Sequence, residues 1–445
     1  MDTISKRITG EIKISSEFLS EIQRDVTNIT TFQDKIEESF EDRITETLEV
    51  ILGGSICLGA SDIHFEPKKL ISKIRIRADG MLQAVISFDS EIYNKIVSRI
   101  KLLSRLKLNI KDRPQDGRFS VALPEDPSAE ITKLYTIEIR VSVLPSEYGE
   151  TLVLRILNPK KLVSFDKLGL RPDLLELFER EMSKPNGMVI VTGPTGSGKT
   201  TTLYAFLKKV QSPENKIITI EDPIEYHLAE ISQTQVNPAK KYTFANGLRS
   251  VMRQDPDIIL VGEIRDLETA SIALQASLTG HLVFTTLHTN DAAGTIARLQ
   301  ALGESPINIA PAINLAVAQR LIRKVCKYCK KARKVKPEEL EKIKEAFKTF
   351  PKNIKKPKID ANLKIAEIVG CPKCNSTGYK GRAGIFEAFV VDDDMQNFIL
   401  TSPSIASLNQ KAIEGGMTTI YQDGMLKVIN GATTIEEIER VAGKQ

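Results

Sequence analysis

The sequence predicts an α/β chain in two parts, a smaller α+β domain followed by a larger α/β domain with a parallel sheet and an inserted cysteine-bearing lobe. Three observations predict it. Before residue 160, strand-like alternation and a hairpin dipeptide dominate. After Phe165, short β-branched runs alternate with helical patterns, and two C-x-x-C pairs bracket a strongly basic stretch. A length of 445 residues suffices for several hydrophobic cores. With 41% hydrophobic and 27% charged residues, the composition is that of folded globular protein and excludes wholesale disorder. No apolar run reaches the roughly 18–20 residues of a membrane helix, and Met1–Arg7 lack the apolar core of an export signal. Five cysteines in so long a chain do not make a disulfide scaffold. The expectation is a protein of a reducing compartment, the cytosol.

The elements follow in order. Residues 1–45 read as a short acidic helical segment, since residues 1–50 hold 6 Lys/Arg against 12 Asp/Glu. Ile36, Phe40, Ile44, Leu48, Ile51 and Leu52 keep helical spacing, a pattern that Gly53-Gly54 weakens. Residues 46–160 make the α+β domain. Asp62–Glu66 and Ile74–Arg77 alternate like strands, Asp79-Gly80 suits a two-residue hairpin turn, and Leu82–Ile86 is the return strand. Ile92, Ile96, Ile100 and Leu103 mark an amphipathic helix, and Arg113–Arg118 a turn. Strands are expected near 118–123, 134–143 and 150–157, with a polar loop over 124–133. Residues 165–445 make the larger domain. Its runs Met188–Val191, Lys216–Ile220, Asp257–Val261 and His281–Phe284 suit parallel strands buried on both faces. Residues 320–380 read as an inserted lobe, and 395–445 as amphipathic helices packing the C-terminal end.

Gly193-Pro194-Thr195-Gly196-Ser197-Gly198-Lys199-Thr200 fits the pattern G-x-x-x-x-G-K-[ST], between an expected strand and a helical run opening at Thr201. Glycines let backbone N–H groups close around phosphate oxygens, and the following helix N-terminus adds its dipole. Lys199 is expected to reach the β- and γ-phosphates, with the Thr200 hydroxyl on Mg²⁺. The site thus comprises Gly193, Pro194, Thr195, Gly196, Ser197, Gly198, Lys199, Thr200 and Thr201, and its ligand is ATP. Hydrolysis needs more: a positioned water and a stabilised γ-phosphoryl. Three strand ends offer the groups, namely Glu221 in Glu221–Glu225, Glu263 in Gly262–Asp266 and His288 in Thr285–Asp291. In a parallel sheet such ends line the ligand crevice.

Cys326-Lys327-Tyr328-Cys329 and Cys371-Pro372-Lys373-Cys374 supply four thiols. Two such knuckles match a closed tetrahedral structural Zn²⁺ site, and nearby lysines favour the thiolates. Reduced buried thiols and redox-active pairs are the alternatives; zinc is preferred because no thioredoxin-like context is present. Cys57, alone on the apolar helix, reads as core. The stretch 320–358 carries 16 Lys/Arg against 4 Glu, so nearly all the basicity sits in Arg320–Lys358. Such a patch is either a solvated surface or an attractor of phosphate, lipid headgroups or acidic protein.

Taken together, these motifs resemble the secretion ATPase superfamily, in particular the hexameric motors of type II secretion and type IV pilus assembly. In that family's terms Gly193–Thr200 is the Walker A loop, Ile220–Glu225 resembles the aspartate box, Asp257–Asp266 the Walker B segment with Glu263 as catalytic glutamate, and Thr279-Gly280-His281 through His288 the histidine box. Upstream, Ala60–Pro67, Arg77–Gly80 and Arg113–Arg118 resemble signatures of the family's second N-terminal domain. The resemblance covers roughly 46–445. It implies a RecA-like P-loop domain preceded by a PAS-like domain, and arginine fingers at Arg140, in Glu138–Ser142, and Arg155, in Val153–Arg155. It implies ATP, Mg²⁺ and Zn²⁺ as cofactors, with the cysteine tetrad matching assembly-type and type II members. It further implies a homohexamer, cytoplasmic and peripheral to the inner membrane, acting on a platform protein there, with Arg320–Lys358 facing an anionic lipid surface. One departure stands out: no Asp precedes Glu263, so Mg²⁺ would rest mostly on Thr200, phosphates and water. Longer members carry a separate N-terminal docking domain, for which some 45 residues are too few.

The expected function is an ATP-driven motor for pilus or pseudopilus assembly. A nucleic-acid translocating or DNA-uptake ATPase is the first alternative; nucleic acid is the weaker expectation because the basic patch reads as peripheral rather than lining a pore. A nucleotide-gated scaffold with little turnover is the second, opposed by the presence of both Lys199 and Glu263.

Overall fold

The computed structural model describes residues 10–41, 43–126, 133–351, 354 and 356–443. Part of the expected loop over 124–133 therefore lies outside the described residues. By its internal contacts the chain divides into two units. One holds the described residues up to 161 together with 326–330 and 368–380; the other holds 162–325, 331–367 and 381 onward.

The first unit is a seven-stranded sheet with helices. In chain order its elements are β1 (Glu11–Lys13), α1 (Ser16–Asp25), α2 (Ile29–Glu38), α3 (Ile44–Cys57), β2 (Asp62–Glu66), β3 (Ile71–Ala78), β4 (Met81–Asp89), α4 (Ser90–Leu103), β5 (Gln115–Pro124), β6 (Leu134–Ser146) and β7 (Gly149–Leu157). The strand order is β1-β5-β6-β7-β2-β3-β4. β1 joins β5 in parallel while the other neighbours are antiparallel. The β3–β4 hairpin turns on Asp79 (φ 49°) and Gly80 (φ 81°), left-handed at both positions as a two-residue turn demands.

Residues 11–38 pack into the core of the first unit. Ile12, Leu19, Ile22, Phe32 and Ile36 are buried in the same core as Ile63, Phe65, Ile74 and Ile96. The helical run from Ile36 to Leu52 is also broken in two. α2 stops where the Ser39 hydroxyl donates to Ile36 O (2.7 Å), and a short 3-10 turn over Ser39–Glu41 precedes α3. Gly53-Gly54 do not end α3. The ring of buried Phe32 lies where a side chain on Gly54 would stand, 2.2 Å from its Cβ position, so glycine here permits close helix packing. The segment Arg113–Arg118 is only partly a turn, because β5 begins at Gln115, whose side chain bonds Lys107 N, Lys107 O and Ile110 O at 2.9–3.1 Å.

The second unit continues with α5 (Pro172–Met182), β8 (Gly187–Thr192), α6 (Lys199–Val210), β9 (Ile217–Glu221), β10 (Ser232–Gln235), α7 (Phe244–Val251), β11 (Ile258–Val261), α8 (Leu267–Leu278), β12 (Leu282–Leu287), α9 (Gly294–Leu302), α10 (Pro306–Ala312) and β13 (Ile313–Val325). A two-stranded ribbon, β14 (Lys331–Lys334) and β15 (Lys364–Glu367), flanks α11 (Pro337–Ala346) in sequence. β16 (Tyr379–Val390) and helices α12 (Asp393–Leu400), α13 (Ile405–Glu414), α14 (Ile420–Ile429) and α15 (Ile435–Ala442) close the chain. The large sheet runs β10-β9-β11-β12-β8-β13-β16, parallel from β10 through β13. Met188 and Ile190 of β8 face one core, Val189 and Val191 the other, so both faces are covered, which is why these strands are continuously apolar.

Where the sequence reads an exposed basic lobe from Arg320, the structure keeps residues 320–325 in β13, inside the sheet. There Arg323 Nε donates to Glu437 Oε2 (2.9 Å), whose side chain is fully buried. Further on, Arg333 pairs with Glu339 and Lys342 with Glu439. The stretch is thus less uniformly cationic than its composition. Among the described residues no helix is long and apolar enough to cross a membrane.

Candidate nucleotide site and cysteine tetrad

Because β9, β11, β12 and β8 run parallel, their C-terminal ends share one edge of the sheet. That edge receives the loop 193–198, Glu221, Gly262-Glu263 and His288. The loop needs its glycines: Gly193, Gly196 and Gly198 have φ of 147°, 80° and 91°. Gly198 is the N-cap of α6 and offers no capping side chain, so the first N–H groups of α6 are not engaged by a cap. The Ser197 hydroxyl is buried without a hydrogen-bond partner, and Thr200 is exposed. Lys199 is nearly buried, and its Nζ donates to Gly193 O (2.7 Å) and Pro194 O (3.2 Å). Burial lowers its pKa, against the attraction of Glu263 and together with the repulsion of Arg320. A buried ammonium resting on carbonyls, beside an unpartnered hydroxyl and uncapped N–H groups, fits a phosphate ligand.

Glu263 faces His288, with 3.4 Å between its Oε2 and His288 Nε2, and Arg265 donates to its Oε1. The backbone under it is fixed by Thr286 Oγ1 donating to Gly262 O (2.7 Å) and by Gly262 N donating to Ile220 O (2.8 Å). The structure thereby brings Glu263, His288 and Lys199 together. Glu221 is different. It is 3% exposed and accepts from Tyr204 OH, Thr219 Oγ1 (2.6 Å) and Gln233 Nε2 (3.1 Å). Burial raises its pKa, while these hydrogen bonds oppose the rise. The expectation that Glu221 faces the phosphates as a catalytic acid gives way to an inward-turned carboxylate.

Two further residues stand at this edge, Gln319, which the sequence reading does not single out, and Arg320, which it places only at the start of the basic stretch. Gln319 accepts from Thr202 Oγ1 (2.8 Å), and its backbone O lies 2.5 Å from a Cβ position on Gly193. Arg320 follows it at the same edge, beside the loop. The signal was available, since both follow the apolar run Leu315–Ala318; the surrounding charge hid it.

In the first unit, Arg118, Arg140 and Arg155 stand opposite one another on β5, β6 and β7, and Arg155, Asp62 and Arg77 continue the row across β2 and β3. Asp62 is mostly buried and holds Arg155 Nε at 3.0 Å and Arg77 Nε at 3.7 Å. Arg140 Nε lies 3.7 Å from Glu138 Oε1.

The four sulfurs of Cys326, Cys329, Cys371 and Cys374 lie within 4.8 Å of one another, and no disulfide joins them. Neighbouring separations are 4.0 Å (Cys326–Cys371), 3.9 Å (Cys329–Cys374) and 3.7 Å (Cys371–Cys374). A regular tetrahedron with metal–sulfur bonds of about 2.3 Å has edges of about 3.8 Å. Backbone N–H groups of Cys371 and Gly378 point at Cys374 Sγ (3.2 and 3.3 Å), the donors that stabilise a thiolate. The donor set fits zinc.

The profile of the family described as "Type II/IV secretion system protein" matches residues 19–440. The chain belongs to that family. This secretion ATPase is 42% identical over 410 residues to the type II secretion system ATPase E of Vibrio cholerae, spanning 92% of this chain and 77% of that protein. It is 41% identical over 380 residues to the type IV pilus assembly ATPase PilB of Thermus thermophilus, spanning 85% of this chain and 41% of the longer relative. Among solved structures it resembles the pilus retraction motor PilT with bound ADP, with TM-score 0.58, 28% identity, and 88% and 96% of the two chains covered. The Legionella pneumophila ATPase DotB shares the fold, with TM-score 0.60, 20% identity, and 88% and 94% covered.

Proposed function

We propose that this secretion ATPase hydrolyses ATP at the C-terminal edge of its parallel sheet and powers assembly of a type IV pilus or a type II secretion pseudopilus. In this reading the second unit is a RecA-like P-loop domain and the first a PAS-like domain. Gly193, Pro194, Thr195, Gly196, Ser197 and Gly198 with Thr201 cradle the phosphates. Lys199 leaves the loop carbonyls for the β- and γ-phosphates, and Thr200 would hold Mg²⁺, which neutralises phosphate charge when bound. Glu263 accepts the proton of the attacking water as the bond from the γ-phosphorus to the bridging oxygen breaks, giving ADP and phosphate. His288 and Arg265 orient Glu263, and Glu221 positions the β9 end through Tyr204. Arg140 and Arg155 neutralise charge on the transferred phosphoryl, a contribution of ~10³-fold or more when made by such a finger. Cys326, Cys329, Cys371 and Cys374 would hold a structural zinc.

The same reading makes the active form a homohexamer on the cytoplasmic face of the inner membrane, working on a platform protein, with part of Arg320–Lys358 against anionic lipid. The relatives' names, secretion and pilus-assembly ATPases, favour the motor over a nucleic-acid translocase or a low-turnover scaffold. The observation that carries the proposal is the convergence of Lys199, Glu263 and His288 at one sheet edge beside a loop with three left-handed glycines.

Two variants test it. Glu263→Gln is expected to bind ATP normally and lose turnover by about 100-fold or more, whereas Lys199→Ala is expected to lose ATP binding itself. Wild-type turnover in Glu263→Gln would overturn the assignment.

A further inference from the structure

Arg320 has no place in the chemistry above, yet it sits against the phosphate-binding loop. A side chain placed on Gly193 would come within 3.1 Å of Arg320 Nη1. Its Nη2 donates to Asn290 O (2.6 Å) and its Nη1 to Gln319 O (3.1 Å). Both acceptors are neutral carbonyls. The carboxylates whose field it feels, Glu387 and Asp291, are engaged elsewhere: Glu387 accepts from Ala292 N (2.9 Å) and Ile420 N (3.2 Å), and Asp291 from Gly294 N (2.7 Å).

Lys199 is in the same condition, donating only to carbonyls. Both cations thus lie against Gly193, Lys199 through its bond to Gly193 O and Arg320 through its Nη1, and neither has an ion-pair partner among the described residues. Like charges so placed repel, and a phosphate bound beside them would offset that repulsion. The Ser197 hydroxyl, buried and unpartnered in the same loop, adds a donor to the set.

We propose that Arg320 is the second cation of the phosphate cradle, binding the nucleotide's phosphates beside Lys199 from the end of β13. The inference rests on reading the glycine loop as the nucleotide site. By its bond to Asn290 O, Arg320 also links the cradle to the loop that follows His288, so phosphate binding bears on the position of that histidine.

Calorimetric titration of ATP and ADP into the full-length protein tests this with Arg320→Gln, Arg320→Lys and Lys199→Ala. Arg320→Gln is expected to weaken both ligands at least tenfold and to flatten the salt dependence of binding, with Arg320→Lys intermediate. The ligand-free melting temperature should fall by only a few degrees, because Arg320 gives up hydrogen bonds to two carbonyls but no ion pair. Wild-type affinity in Arg320→Gln beside lost affinity in Lys199→Ala overturns the role of Arg320 alone. Unchanged affinity in Lys199→Ala overturns the nucleotide site itself. A larger fall in the ligand-free melting temperature, with affinity that Arg320→Lys does not restore, makes Arg320 a structural strut and also overturns the inference.

Discussion

Glu221 and Glu263 end neighbouring parallel strands, and by sequence they are equivalent acids. Their surroundings separate them. Gln233 and Tyr204 close over Glu221, whereas Glu263 keeps its face toward His288 and within the field of Lys199. No spacing in the sequence announces this, because Tyr204 arrives from α6 and Gln233 from β10. The difference has a measurable consequence. Glu221→Ala strands a phenol, a hydroxyl and an amide in a buried site, and each lost partner costs about 1–3 kcal/mol. A stability loss of about 2–4 kcal/mol is expected in urea unfolding, with a smaller loss in Glu221→Gln, whose carbonyl still accepts one bond. Catalytic loss without destabilisation would return Glu221 to the reacting groups.

At the scale of elements, β13 shows how composition misleads. Arg320 and Arg323 belong to a strand whose earlier residues, Leu315 to Ala318, are wholly buried, and the chain leaves the sheet only at Cys326. The cysteine knuckles then pack with the first unit, where Asn375 Oδ1 accepts from Ile29 N (2.9 Å) at the start of α2. Asn375 and Ser376, directly after Cys374, hold left-handed φ of 51° and 58°, with Asn375 N donating to Pro372 O (3.1 Å) and Ser376 N to Cys371 O (2.9 Å). Metal analysis of the purified protein should return one zinc per chain, and Cys374→Ser should lose it. Several kcal/mol of local stability is expected to go with the ion. Hydrogen exchange would then show faster amides over 326–330, 370–378 and the first turn of α2. Unchanged protection after zinc removal would mean the tetrad does not anchor this turn.

At the scale of the whole molecule, the proposed chemistry is divided between the units. The second holds the phosphate loop and Glu263, while the first holds the row Arg118, Arg140, Arg155, Asp62 and Arg77. Asp62 anchors Arg155 by one oxygen and leaves more than half of that side chain exposed, a cation held in direction but not buried. The double variant Arg140→Ala/Arg155→Ala is expected to retain ATP binding and lose turnover by ~10³-fold, measured as phosphate release under saturating ATP. Undiminished turnover would separate hydrolysis from this row.

Local chemistry carried most of what the sequence alone determined. The glycine pattern required a strand, a left-handed loop and a helix; the β-branched runs required a doubly covered parallel sheet; and paired knuckles pointed to a four-sulfur cluster. Each depends on residues close in the chain or on a fixed period, so the code is readable without neighbours. Tertiary structure alone decided that Glu221 turns inward, that Arg320 stands beside Gly193, that residues 11–38 share the core of the first sheet and that Gly54 lets α3 pack against Phe32. These outcomes depend on side chains brought from tens or hundreds of residues away, and burial, not spacing, sets their partners.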